Sequence, residues 1–227
     1  MQGLSEPAAK IIEAFSTLED LKDYQLIGGT ALSIKIDHRL SEDLDFCQWV
    51  PDASQPKHGV NANQIHDRLK ALFGEVDINH LGFSQVNYYI QDPGVKITFY
   101  HTDLKKPTDP PSDLIGNIKV ATLEVLGGSK IYVITQRREI RDYYDNYVLL
   151  EKNHLTLELM LSKAALLSRE AVPKRIHKIF STVKFSDEDI KSMKALKPRY
   201  EMKKEEFNGF FHKMAAKIEQ DYLQAKD

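Results

Sequence analysis

The chain has 227 residues, of which 42% are hydrophobic and 28% charged, values that exclude a wholly disordered protein and suit one large domain or two small ones. Thirty-one Lys and Arg stand against 33 Asp and Glu, a formal charge of -2, so only a local patch could attract nucleic acid or a membrane surface. The single cysteine, Cys47, excludes an internal disulfide framework and a cysteine-based zinc cluster.

The opening MQGLSEPAAKIIEAF lacks the basic-then-apolar order of a secretory signal, and no apolar run approaches the roughly 20 residues of a membrane span. A cytoplasmic protein without a membrane partner is the expectation. Ile11, Ile12, Phe15 and Leu18 share one face of a first helix, with Ser5 as N-cap and Pro7 in the first turn. Tyr24–Ile27 reads as a strand, Gly28-Gly29 as a turn, and Ala31, Leu32 and Ile36 as the face of a second helix. In SEDLDFCQW, Leu44 and Phe46 alternate with Asp43 and Asp45, the period of a strand. Residues 50–59 read as a loop and 61–73 as a helix. Strands are expected over 75–80, 83–90 and 95–101, the last two joined by the turn Gln91-Asp92-Pro93-Gly94. LKKPTDPPSD is a polar, proline-rich surface connection, and Ile118–Val120 a short strand. Beyond this the period is helical, with helices expected over 122–137, 141–151, 155–168, 172–181 and 203–225. The expected division is a mixed unit over 1–121 and a helical unit over 122–227.

Gly28, Gly29 and Thr30 stand between a strand and a helix, where a missing Cβ admits a phosphate and free N–H groups at the helix start offer anion donors. Asp43 and Asp45, at i and i+2 of a strand, point to one face and make a seat for a hard divalent cation. Either feature alone is common. The ordered combination in GGTALSIKIDHRLSEDLDF is more specific, and it resembles the signature of AbiEii/AbiGii-type nucleotidyltransferases, a branch of the DNA polymerase β-like superfamily that includes bacterial toxin components. LGGSKIYVITQRREIRDYYDNYVLL is similar to a later motif of that family through Lys130, Arg137, Arg141, Asp142, Asp145 and Tyr147. In one continuous helix Lys130, Arg137 and Arg141 would share a face, either a cationic surface for phosphates or a solvated edge with an Arg141–Asp145 pair.

The resemblance implies an α+β fold: a nucleotidyltransferase-like mixed sheet flanked by helices, then a helical region that completes a nucleotide cleft. It implies a nucleoside triphosphate substrate, Mg2+ or Mn2+, an RNA or protein acceptor, and an opposing antitoxin protein. Asp43 and Asp45 would hold the metal. Gly28, Gly29 and Thr30 would hold phosphates, Lys130 would add a point charge, and Asp142 would be a further acidic group of the site. His38, Arg39 and Ser41 fall in the site region. Arg39 could bind phosphate or steer Asp43, or pair with Asp43 or Glu42; Ser41 could orient a carboxylate or cap the turn. The superfamily draws a third carboxylate from a later strand, two residues after a lysine; here Lys96 is followed by Thr98. Asp77 and Asp103 are substitutes to consider, and the alternative function is a degenerate nucleotide-binding or interaction module.

Outside the motifs, Cys47 reads as a buried, inert thiol, and His58 and His66 make no zinc set. Tyr143, Tyr144 and Tyr147 could stack a base or pack a helix. Phe207, Phe210, Phe211 and Met214 look like the buried side of the last helix, and KRIHK, residues 174–178, is either a basic patch or a solvated face.

Overall fold

The structure, a computed structural model, describes residues 1–49, 60–81, 85–102 and 104–224. The expected loop at 50–59 with His58, the first residues of the strand expected from Phe83, and Asp103 lie outside the described residues. The chain divides into two compact units, Met1–Thr122 and Leu123–Asp227.

The first unit is built on a mixed seven-stranded sheet. Its strands are β1 (Gln25–Ile27), β2 (Leu44–Trp49), β3 (Asp77–Leu81), β4 (Gln85–Ile90), β5 (Val95–Thr102), β6 (Ser112–Ile115) and β7 (Ile118–Val120), in the spatial order β3-β4-β5-β2-β1-β7-β6. β2 runs parallel to β5 and β1 parallel to β7, while the other neighbours are antiparallel. Among the described residues this unit has the α-helices α1 (Glu6–Phe15), α2 (Gly28–Ile36) and α3 (Ala62–Phe73). Ser5 and Asn61 cap α1 and α3 by accepting from Ala8 N and Gln64 N. Phe15 of α1 meets Phe46 and Phe99, whose rings stack with centroids 4.9 Å apart. With Leu26, Leu44, Ile97 and Tyr88 these form an apolar core on one sheet face. The pleat therefore sends Asp45 to the other face.

The helical unit holds α4 (Leu123–Val133), α5 (Ile140–Glu151), α6 (Leu157–Leu167), α7 (Pro173–Thr182), α8 (Asp187–Met193) and α9 (Lys204–Ile218). Its core is aromatic. Tyr143 packs edge-on against Phe185 and Phe211, and Tyr147 against Phe207 and Phe210. The tyrosines are thus packing residues, and the Phe207, Phe210 and Phe211 side of α9 is buried as its spacing predicts. Among the described residues no helix is long and apolar enough to cross a membrane.

Four expectations need correction. α2 begins at Gly28 itself, so no separate turn stands between β1 and the helix. The polar connection ends in an edge strand, β6, whose exposed residues carry no alternation to read. α8 is not among the expected helices, although its Ser186–Asp189 capping box is a sequence signal for a helix start. The helix expected over 122–137 stops at Val133, because the Thr135 hydroxyl and backbone amide both turn back to the Tyr132 carbonyl.

Candidate functional site

Ile27, the last residue of β1, lies opposite Asp45 in the antiparallel register. The next residue, Gly28, starts α2 with φ +73°, and a Cβ built there would sit 2.8 Å from Asp45 Oδ2. Glycine thus meets two demands at once: a left-handed backbone and close approach to a carboxylate. No side chain caps α2, since the preceding residue is Ile27. The positive end of a helix is therefore set beside the Asp45 carboxylate. Gly29 makes a second close approach, because a Cβ there would collide with Arg39 Nη2. Arg39 is buried and also donates from Nη1 to the Leu40 carbonyl at 3.2 Å.

The loop from α2 to β2 is held from several sides. Thr30 Oγ1 lies 2.7 Å from Ser41 Oγ and donates to the Asp43 carbonyl. Ser41 also exchanges backbone bonds with the N-terminal segment, its N–H donating to Gly3 O and its carbonyl accepting from Ser5 N. The Thr30 and Ser41 hydroxyls therefore fix where Asp43 stands. Asp43 itself immediately precedes β2, is partly exposed, and accepts at Oδ1 from Lys96 N at 3.4 Å. His38 is fully buried in the same loop.

Beside Asp45, the parallel register places Thr98, and beyond Thr98 the antiparallel register places Asn87. Cross-strand partners share a face, so Asp45, Thr98 and Asn87 form one polar row. Thr98 and Asn87 are both buried, and Thr98 Oγ1 has no hydrogen-bond partner among the described residues. Asn87 accepts from Gln85 Nε2 at 3.0 Å and donates to Tyr89 Oη at 3.3 Å. Sequence reasoning missed Asn87; its signal was an amide at a position flanked by apolar and aromatic strand residues. Asp77 is no substitute acid: it lies on β3, three strand spacings or about 14 Å from β2. Its Oδ2 accepts from Gln91 Nε2 instead. His66 is bonded to the Val76 carbonyl, and no group of three His, Cys, Asp or Glu suited to a metal occurs among the described residues.

In the helical unit the motif residues form a buried ion cluster. Lys130 Nζ lies 3.0 Å from Asp142 Oδ1 and 2.6 Å from Asp145 Oδ2, and both aspartates are fully buried. Arg137 Nε donates to Asp142 Oδ2 at 2.7 Å, while half of the Arg137 side chain stays exposed. Burial pushes the Asp142 carboxyl upward, but Lys130 and Arg137 outweigh it and hold Asp142 below the usual carboxylate range. Asn146, another residue the sequence did not flag, donates to the backbone carbonyls of Lys130 and Asp142 and ties α4 to α5. The single cationic face expected for Lys130, Arg137 and Arg141 is therefore replaced. The helix breaks after Val133, Lys130 turns inward to two carboxylates, and Asp145 is engaged by Lys130.

Comparison with known proteins bears on family and fold. The family model described as "Nucleotidyl transferase AbiEii toxin, Type IV TA system" matches residues 10–225. The curated protein aq_aa25 of Aquifex aeolicus (strain VF5), itself uncharacterized, is 25% identical over 153 residues, covering 67% of this chain and 70% of its own. JHP933 from Helicobacter pylori superposes with a TM-score of 0.55 at 20% identity, over 97% of this chain and 95% of that one. A candidate nucleotidyltransferase from H. pylori gives 0.57 at 21% identity, over 98% and 99%. At these identities the two structures speak for the fold alone, and it is the α+β fold described above.

Proposed function

Since the chain belongs to the AbiEii family of nucleotidyltransferase toxins, we propose that it transfers the nucleoside monophosphate of an NTP to an acceptor, with Asp43 and Asp45 as the seat of a divalent cation. The observation that carries this reading is the adjacency of Asp45 to the uncapped start of α2 across Gly28. A seat for a cation and a set of donors for an anion stand side by side, as a metal–triphosphate complex requires.

The donor set suits the metal. Mg2+ is commonly bound by one or two carboxylates with substrate phosphates and water completing six oxygens, and two carboxylates flank the site with a neutral Thr98 hydroxyl beside them. When bound, the ion supplies Lewis-acid neutralisation of phosphate charge. The chain's own residues do the rest. N–H groups at the start of α2 hold phosphate oxygens, and the Arg39 guanidinium, laid over Gly29, adds positive charge there. Thr30 and Ser41 keep Asp43 in place. In the transfer, the acceptor oxygen bonds to the α-phosphorus, the bond from the α-phosphorus to the oxygen bridging to the β-phosphate breaks, pyrophosphate leaves with that oxygen, and the acceptor hydroxyl's proton passes to solvent water. Thr98 cannot take that proton as a carboxylate would.

The test is thermal or denaturant stability with Mg2+, NTP or both. Shared binding makes the pair stabilise more than either alone; a ligand at 100 times its Kd stabilises by about 2.7 kcal/mol over the unliganded protein. In the folded Asp43→Asn/Asp45→Asn variant the metal-dependent part disappears; its persistence would show that these aspartates are not the seat. A second reading rests on Thr98. Coupled binding without transfer, over all four NTPs and RNA or protein acceptors, makes the chain a nucleotide-binding module of the same fold.

A further inference from the structure

The helical unit contains an open cleft with a volume of about 510 Å³, a size typical of small-ligand pockets. Arg137, Arg138, Arg175 and Lys178 line it, and among the described residues its lining holds no acid. Its apolar lining is Ile134, Val183 and Tyr143, which are buried and so form its floor, with the half-buried Ile179. The arginines are held in place largely by carbonyl oxygens. Arg175 Nη2 donates to Thr135 O at 2.8 Å, and Arg138 Nη2 donates to Lys184 O while its guanidinium lies 5.2 Å from the centre of the Phe185 ring. Three acids come near from outside the lining: Asp142, which binds Arg137, and two others. Exposed Glu170 lies 3.2 Å from Arg175 Nη1, and Asp189 is engaged in its capping box with Ser186. Arg137 is counted with the buried cluster, where two cations and two carboxylates balance. Lys178 is exposed at the rim and meets no carboxylate among the described residues.

A cationic rim above an apolar floor recognises an anion attached to a flat or apolar group. We infer that this cleft is a binding subsite for a phosphate ester of nucleotide size, held by Arg138, Arg175 and Lys178 with its ring over Ile134 and Ile179. The rim cations supply charge-assisted bonds to phosphate oxygens, and the prearranged arginines lose little freedom on binding. The basic segment 174–178 thereby gains a use: Arg175 and Lys178 both line the cleft from α7. None of the residues that hold the phosphate belongs to the Gly28–Asp45 region, so this subsite and the proposed metal seat stand or fall separately.

The experiment uses the full chain in EDTA. Inorganic phosphate and AMP are titrated calorimetrically, and a fluorescein-labelled hexauridylate by anisotropy. AMP binds without metal and more tightly than inorganic phosphate, because only AMP covers the apolar floor. Lys178→Glu weakens AMP about five- to tenfold, roughly one surface charge interaction, yet keeps the Mg2+–NTP stabilisation that Asp43→Asn/Asp45→Asn loses. Hexauridylate displaced by AMP identifies the ligand as the end of a polynucleotide, and Lys178→Glu then lowers the salt slope by about 0.7 for each phosphate that is no longer neutralised. AMP binding without hexauridylate binding identifies a free nucleotide. Absence of metal-independent binding of every probe, or equal AMP affinity in wild type and a Lys178→Glu variant with an unchanged melt, overturns the subsite.

Discussion

Asp43 and Asp45 stand two residues apart at the start of β2, partly exposed, beside a helix start that no side chain caps. Asp142 and Asp145 stand three apart on α5, fully buried, with Lys130 between them and Arg137 on the outer side of Asp142. Both pairs belong to motifs that the sequence singles out, and both consist of the same residue type. What separates them is burial. A carboxylate withdrawn from water must bring its counter-charge with it, so the α5 pair carries a lysine into the core. A carboxylate that keeps contact with solvent can wait for a counter-ion from outside. The first arrangement secures α4 to α5; the second suits a metal seat.

The largest expected effect breaks the buried arrangement. Lys130→Met takes from the core the cation that Asp142 and Asp145 share, leaving Asp142 to Arg137, and costs about 3–5 kcal/mol, read by urea denaturation. Asp43→Asn and Asp45→Asn, measured the same way without metal, change stability by only about 1 kcal/mol or less. Equal costs for the two sets would erase the distinction between the pairs.

Thr98→Asp sharpens the comparison from the other side. It adds a third carboxylate beside Asp45, in a buried position, and lowers stability in EDTA by about 1–3 kcal/mol through desolvation and like-charge repulsion. Mg2+ then restores part of the loss, a larger stabilisation than wild type shows at the same metal concentration. A melt insensitive to Mg2+ would argue that the row does not face a cation seat. Gly28→Ala follows at about 1–2 kcal/mol for a side chain at φ +73°. Its Cβ also presses on Asp45 Oδ2, so transfer activity falls further than stability does.

In the acid limb of the stability curve, Asp142 is the buried carboxylate whose contribution can be read by substitution. Asp142 is held below its ordinary value of 3.8 in the folded state. Its contribution is therefore complete above the unfolded value and is lost as pH falls through the lower folded one. Denaturation profiles from about pH 5 to pH 2 should show wild type losing stability faster than Asp142→Asn. The smallest effect concerns Cys47, on the strand of Asp45. Burial pushes its thiol up to about 12, the Tyr100 hydrogen bond and Asp45 being lesser influences. A thiol reagent at about pH 8 should leave folded Cys47 unmodified and react fully in urea, which checks that β2 is closed just beyond its carboxylates.

Local rules make a large share of this protein legible in the order of its residues. Ser5 and Asn61 mark helix starts because a short side-chain oxygen satisfies an orphan amide. Leu44 and Phe46, alternating with Asp43 and Asp45, mark a strand, and the Gly-Gly-Thr and Asp-x-Asp segments lie next to each other in space because β1 and β2 pair directly. Polar edge strands carry no such pattern, and β6 is accordingly unreadable.

Sequence by itself determined the α+β class, the family and the segments that carry chemistry, since propensity, capping and motif spacing are properties of neighbouring residues. Tertiary structure alone decided which charges face inward. Lys130 and Asp142 are twelve residues apart and become partners only when α4 and α5 fold back together; Thr98 and Asp45 become neighbours only through the β2–β5 register. Charges and hydroxyls distant in sequence acquire their environment from packing, and that environment decides whether a carboxylate holds the fold together or stays open to a metal.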